Sequence, residues 1–208
     1  DVVALPGEEL SLASIASPPD TILYVDPNPD VYPKDFAFFH NTVSTSNATH
    51  PWKGLFHLFY IRHFRSTGAE PSIAHAWSED LKNWRVQTNA FVPNAGWDAQ
   101  YVWAPSIVQV GNLYYMYYTG VDANGHQRIG YATTANLDTT NTMWSRRSTW
   151  AYSADSTVWA ETNGHNYFGQ QQFRDPWVMP DPDNPGRFLL FCVGQDKKYT
   201  SIGRTIVG

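Results

Sequence analysis

Apolar residues come in short runs along this chain, and a polar or charged residue stands just ahead of the first run in each group. Phe173-Arg174-Asp175-Pro176-Trp177-Val178-Met179 puts an arginine, a carboxylate and a proline before a run built for burial. Proline is tolerated at the first residue of a strand and hardly within one, so the charge pair is expected at the strand's mouth. A turn dense in turn formers, Asp181 to Gly186, leads into the next run, Arg187 to Val193. The unit is strand, turn, strand.

The same unit occurs twice more, at intervals of about seventy residues. Trp103 to Val110 leads through Gly111-Asn112 into Leu113 to Tyr118, and Lys34 to Phe39 leads through a longer polar loop into Leu55 to Tyr60. Each pair is followed by a third short run: Ser72 to Ala76, Arg128 to Ala132, and Ser201 to Arg204. After the first two of these a turn leads to a fourth strand. Four strands per unit at a fixed period predict an all-β protein of the β-propeller kind, with about three blades over residues 30–95, 100–160 and 172–208. Residues 1–20 carry no strand signal and read as a tether along the first blade.

Spaced short strands also suit a sandwich. The phasing separates the two architectures. In a propeller the first strands ring a central channel, so Asp35, Ala104 and Asp175 converge on one axis; a sandwich supplies no reason for the regularity. Three blades make an open arc with two exposed faces, so the chain is expected to be a fragment of a longer one, or to be completed by another chain through self-association.

Composition narrows the function. The net charge of -5, with lysines and arginines scattered, argues against nucleic acid, and no run approaches the ~20 apolar residues of a membrane span. Nine tryptophans, and aromatic residues at 15% of the chain, exceed what packing between blades asks for and fit a carbohydrate cleft. The single cysteine, Cys192, excludes an internal disulfide and reads as a packing residue in an apolar strand. Asn47-Ala48-Thr49 satisfies the glycosylation acceptor pattern.

The succession Lys34-Asp35-Phe36, His57-Leu58-Phe59-Tyr60, Ala74 to Trp84, Val102-Trp103-Ala104-Pro105-Ser106-Ile107 and Phe173-Arg174-Asp175-Pro176 resembles the five-bladed propeller glycoside hydrolases, which include families 43, 32, 62 and 68. The resemblance covers roughly residues 30 to 208. Trp-Ala-Pro on the second unit and Arg-Asp-Pro on the third is similar to the family 43 layout, while Arg174 and the His57 to Tyr60 run have family 32 features. It implies a secreted glycosidase acting on arabinose- or xylose-containing plant saccharides, with a fructan- or sucrose-directed family 32-like hydrolase and a non-catalytic carbohydrate-binding propeller as alternatives.

Glycoside cleavage needs one carboxylate at the anomeric carbon or its attacking water and one acid at the leaving oxygen. The resemblance implies Asp35 as general base or nucleophile and Asp175 as the carboxylate that holds the sugar and tunes the acid. Asp26 competes with Asp35, but Pro29 and Pro33 should keep the residues after Asp26 from running as an inner strand. Arg174 either keeps a carboxylate ionised or forms a plain strand-end ion pair. Trp103 reads as the stacking platform, with Trp97 and Asp98 as a further ring and hydroxyl acceptor. The acid is expected beyond residue 208, with Glu161 the chain's own candidate. The resemblance implies no cofactor beyond a structural calcium near the axis.

Overall fold

The computed structural model describes residues 24–41, 55–137, 143–154, 173–195 and 205–207, the last three and Gln195 by their backbone. All the regular structure there is strand. Three antiparallel sheets follow one another along the chain. The first runs β1 (Val31–His40), β2 (Phe56–Phe64), β3 (Ile73–Ser78) and β4 (Trp84–Phe91) in spatial order. The second runs β5 (Tyr101–Val110), β6 (Leu113–Val121), β7 (Gln127–Thr134) and the two-residue β8 (Ser145–Arg146). The third is β9 (Phe173–Pro180), β10 (Phe188–Gln195) and β11 (Thr205–Val207), with β10 in the middle. The expected tether, the Asn47 acceptor, Glu161 and the Ser201 to Arg204 run lie outside the described residues.

The sheets stack face to face, and this explains why their middle strands are apolar on both sides. From β2, Phe59 joins Ala37, Ile73 and Phe91 in a core shared with Val102, Ile107, Met116, Tyr118 and Leu137 of the second unit. Its neighbours Leu58 and Tyr60 pack on the opposite face with Ala74, Ala76, Tyr24 and Trp84. Ile129, Phe173 and Cys192 form a smaller cluster between the second and third sheets. Full burial of one such ring contributes about 1.5–3 kcal/mol. The inner strands β1, β5 and β9 touch in series, β1 on β5 and β5 on β9.

Two expectations are corrected here. Asp35 and Asp175 do not stand at strand mouths; each lies inside its strand. Likewise β1 begins at Val31 and runs through Pro33, because β1 is the edge of its sheet and proline is compatible with an edge.

His57 and His75 are both wholly buried, with His57 Nδ1 and His75 Nε2 2.9 Å apart. One proton bridges the two nitrogens. Burial, reinforced by His57, pushes His75 well below the ordinary imidazole value. A group whose folded pKa is depressed contributes full stability above its unfolded pKa of about 6.5 and loses it progressively as pH falls from there towards the folded value. Chemical denaturation at pH 7.5 and at pH 5.5 is therefore expected to show lower stability at the acid end, with a limiting slope of about 1.4 kcal/mol per pH unit. His75→Gln should flatten the slope; an unchanged slope would show that the pair does not carry it.

Candidate active site

Each inner strand carries the same irregularity. In β1 the register with β2 slips between Lys34 and Ala37, so that Asp35 and Phe36 together oppose Tyr60. In β5, Ala104 and Pro105 oppose Tyr118; in β9, Asp175 and Pro176 oppose Cys192. The first residue of every bulge has a left-handed backbone: φ is 42° at Asp35, 46° at Ala104 and 55° at Asp175. Such a conformation costs on the order of 1–3 kcal/mol at a non-glycine residue, and bulges gather where a side chain must be re-aimed. Aspartate visits this region more readily than most residues; alanine at the second bulge has no such excuse.

The bulges meet. Asp35, Phe36, Ala104, Pro105, Asp175, Pro176 and Trp177 line one open concavity of about 220 Å³. Two carboxylates from blades 140 residues apart in sequence thus face a common space, walled by rings that are strongly exposed, Phe36 at 62% and Trp177 at 59%. The third blade is fixed against the second by two hydroxyls: Thr119 accepts from the Asp175 N–H at 2.9 Å, and Ser106 accepts from the Val178 N–H at 3.0 Å. The first of these satisfies the very amide that the bulge takes out of the ladder.

Burial by the surrounding chain pushes the Asp175 carboxyl above its ordinary value; Arg174 pulls it down, Asp35 pushes it further up and Lys34 pulls it down. Arg174 Nε stands 3.4 Å from Asp175 Oδ2. Asp175 therefore carries a raised proton affinity while an arginine stands beside it.

Other sequence candidates fall elsewhere. Trp97 and Asp98 are buried and do not line the concavity, which corrects their reading as sugar contacts. Trp97 stacks on Tyr118 with ring centroids 5.3 Å apart, and Asp98 accepts from Tyr118 Oη at 2.9 Å and Arg146 Nη1 at 2.6 Å. Trp103 flanks Ala104 but lies on Tyr101, centroids 4.9 Å apart, and is also not among the lining residues. Asp26 is used in the same way as Asp98: Tyr60 Oη donates to it at 2.6 Å and Arg62 Nε at 3.1 Å. Burial alone would raise the Asp26 carboxyl; the bonds from Arg62, Tyr60 and the Asn28 N–H hold it below the ordinary range.

The sequence reading missed Phe36 and Trp177 as walls. Their signal is position, since each follows a bulge aspartate within two residues, where the in-and-out alternation is broken. Among the described residues no glutamate lines the concavity. Among the described residues no three His, Cys, Asp or Glu side chains gather as a metal site. Asp35 and Asp175 by themselves do not supply the roughly six to eight oxygen ligands that a calcium ion takes.

Sequence comparison decides the family. The profile described as "Glycosyl hydrolases family 32 N-terminal domain" matches residues 40–203. The chain belongs to this family. Among its family 32 relatives, an insoluble β-fructofuranosidase isoenzyme of Arabidopsis thaliana is 30% identical over 164 residues, 77% of this chain and 26% of that protein. The chain thus spans about a quarter of the length of the curated relatives it matches. Fructan 1-exohydrolase IIa from Cichorium intybus shares the fold with a TM-score of 0.54 at 20% identity, over 89% of this chain and 33% of that one. A family 43 enzyme from Xanthomonas citri, complexed with xylotriose, shares it with a TM-score of 0.51 at 16% identity, over 77% and 39%. This family 32 chain is all-β and holds about three blades of the five-bladed glycosidase propeller.

Proposed function

We propose that the concavity between Phe36 and Trp177 receives a furanosyl unit of a saccharide and takes part in its hydrolysis, outside the cell. The observation that carries this reading is the pair of matched bulges, which aims Asp35 and Asp175 into one space. Asp35 attacks the anomeric carbon, or takes a proton from the water that does; Asp175 accepts hydrogen bonds from sugar hydroxyls and loads negative charge beside the developing oxocarbenium ion. The bond from the anomeric carbon to the leaving oxygen breaks as that oxygen takes a proton. Its donor lies outside the described residues, where Glu161 is the chain's own candidate.

Family 32 membership and the β-fructofuranosidase relatives favour fructosides as substrates. Ala104 at the second bulge, where a carboxylate is absent, favours the arabinose- and xylose-directed layout as a second reading. Release of sugar from sucrose, inulin-type fructan, nitrophenyl arabinofuranoside and nitrophenyl xyloside separates them, with fructose release expected to be fastest. Binding without release would support a carbohydrate-binding propeller instead; neither binding nor release of any of the four would sink the sugar reading.

Trp177→Ala tests the wall. Loss of one stacked ring is worth about 1 kcal/mol, so KM should rise about fivefold with kcat little changed. An unaltered KM would mean the ring does not touch the sugar.

A further inference from the structure

Asp35, Ala104 and Asp175 hold the same place in three successive blades: each opens the bulge of its inner strand, each has a left-handed backbone, and each lines the concavity. Because β5 touches both β1 and β9, Ala104 lies on the strand between those of the two aspartates. It differs from them in two respects. The aspartates are exposed and Ala104 is buried, and its side chain ends at Cβ where theirs carry a carboxylate. The concavity thus has an acid on either side and, between them, a floor position without a carboxylate arm. The backbone does not ask for alanine there. Glycine adopts a φ of 46° without steric cost and asparagine with little, whereas a methyl is strained. What the methyl supplies is a closed apolar floor, which glycine would leave as bare polar backbone. Besides the two acids, the other lining residues are Phe36, Pro105, Pro176 and Trp177, all bulkier, so the floor has room for a small group of a ligand only above Ala104.

We propose that Ala104 is a specificity-determining residue: the recess above its methyl receives the carbon substituent that a ketofuranose bears on its anomeric carbon. The proposal deepens the function given above and rests on its furanosyl reading. An aldofuranose has only hydrogen at that position; a ketofuranose has a hydroxymethyl group. When Asp35 faces the anomeric carbon, that group lies close by, and the neighbouring strand meets it with Ala104 instead of a third carboxylate. A carboxylate there would fill the recess and add a negative charge between the two already present. As an element of layout Ala104 favours pentose units, whereas its size favours the ketose, and binding separates the two.

The test is calorimetric titration of the full chain with methyl β-fructofuranoside and with methyl α-arabinofuranoside, a readout that needs no turnover. The wild type is expected to bind the fructofuranoside more tightly. Ala104→Asn suits the left-handed backbone and fills the recess, so it should lower the ratio of the two affinities about 10- to 100-fold while melting no lower than the wild type. Ala104→Gly keeps the recess open, and its ratio should stay on the side of the ketose. An unmoved ratio in Ala104→Asn, or an equal loss on both ligands, overturns the proposal, as does a wild type that prefers the arabinofuranoside or binds neither. Should the wild type hold only the ketose, loss of that binding in Ala104→Asn at undiminished melting supports the role and its retention overturns it. If Ala104→Asn fails to fold, Ala104→Ser adds one atom to the recess and should move the ratio the same way by less; a ratio that stays put there is equally fatal. Sugar release keeps this apart from hydrolysis. A shifted ratio in a protein that cleaves none of the four saccharides would remove the hydrolytic reading and support the role of Ala104, whereas cleavage with an unmoved ratio would leave hydrolysis standing and overturn that role.

Discussion

Asp35→Asn is expected to lower kcat/KM by about 10³- to 10⁴-fold, nearly all of it in kcat, because the substitution keeps the shape of the bulge and removes the group proposed to act on the anomeric carbon. The substrate is the saccharide released fastest among the four. A second readout comes with it. Asp35 is one of the charges that raises Asp175, so its neutralisation should let Asp175 ionise at lower pH and relieve a like-charge contact. The variant is therefore expected to melt slightly above the wild type while being nearly inactive. Sites that hold strained backbone and like charges trade stability for chemistry in this way. For the wild type, activity should fall on the acid side as Asp175 takes its proton, above the pH at which an ordinary aspartate does so. Retained activity in Asp35→Asn would remove the catalytic assignment, and a lowered melting point with lost activity would mean that the aspartate serves the fold instead.

The period of about seventy residues was enough to bring Asp35, Ala104 and Asp175 to one place. Phasing is a property of sequence, and inner strands convert it directly into proximity. What the chain does not spell out is the local backbone. Nothing in Lys34-Asp35-Phe36 or Arg174-Asp175-Pro176 announces a left-handed residue in mid-strand, since the bulge is imposed by register with β2 and β10. Only the proline after Ala104 and after Asp175 hints at it, being compatible with a bulge. Phe36 looked like the start of a buried run and is exposed for the same reason.

Trp97 and Asp98 misled in the other direction. A tryptophan and an aspartate in a loop before an inner strand read as a ring and a hydroxyl acceptor, yet the second blade uses them as the first uses Asp26. In both, a buried aspartate ahead of the inner strand accepts from the tyrosine that opposes the bulge and from an arginine: Asp26 with Tyr60 and Arg62, Asp98 with Tyr118 and Arg146. The repetition is visible once the bulges are aligned. Its physical content is that the tyrosine hydroxyl, unable to stay buried alone, is satisfied by a charge that is itself satisfied.

The packing of Trp97 supplies the second large effect. A Cβ added to Gly120 or to Gly130 would stand less than 3.0 Å from the indole ring, so both glycines are there to admit it. The ring cannot swing away cheaply, because it is already stacked on Tyr118 inside the core. Gly130→Ala is accordingly expected to cost about 3 kcal/mol, a fall of about 6–12 °C in melting temperature for a chain of this size. Trp97→Ala should cost about 3–5 kcal/mol. The double change Trp97→Leu with Gly130→Ala should cost clearly less than the sum of the two single changes, because the smaller side chain leaves room for the methyl. Strict additivity, or a Gly130→Ala variant that melts like the wild type, would show that the indole is free to leave its seat, and the sugar-contact reading of Trp97 would return. The effect reaches the site as well. Tyr118 opposes the Ala104-Pro105 bulge and bonds the residue next to Trp97, so loosening the indole should blunt activity at temperatures well below melting, with KM and kcat changing together as the second bulge loses its aim.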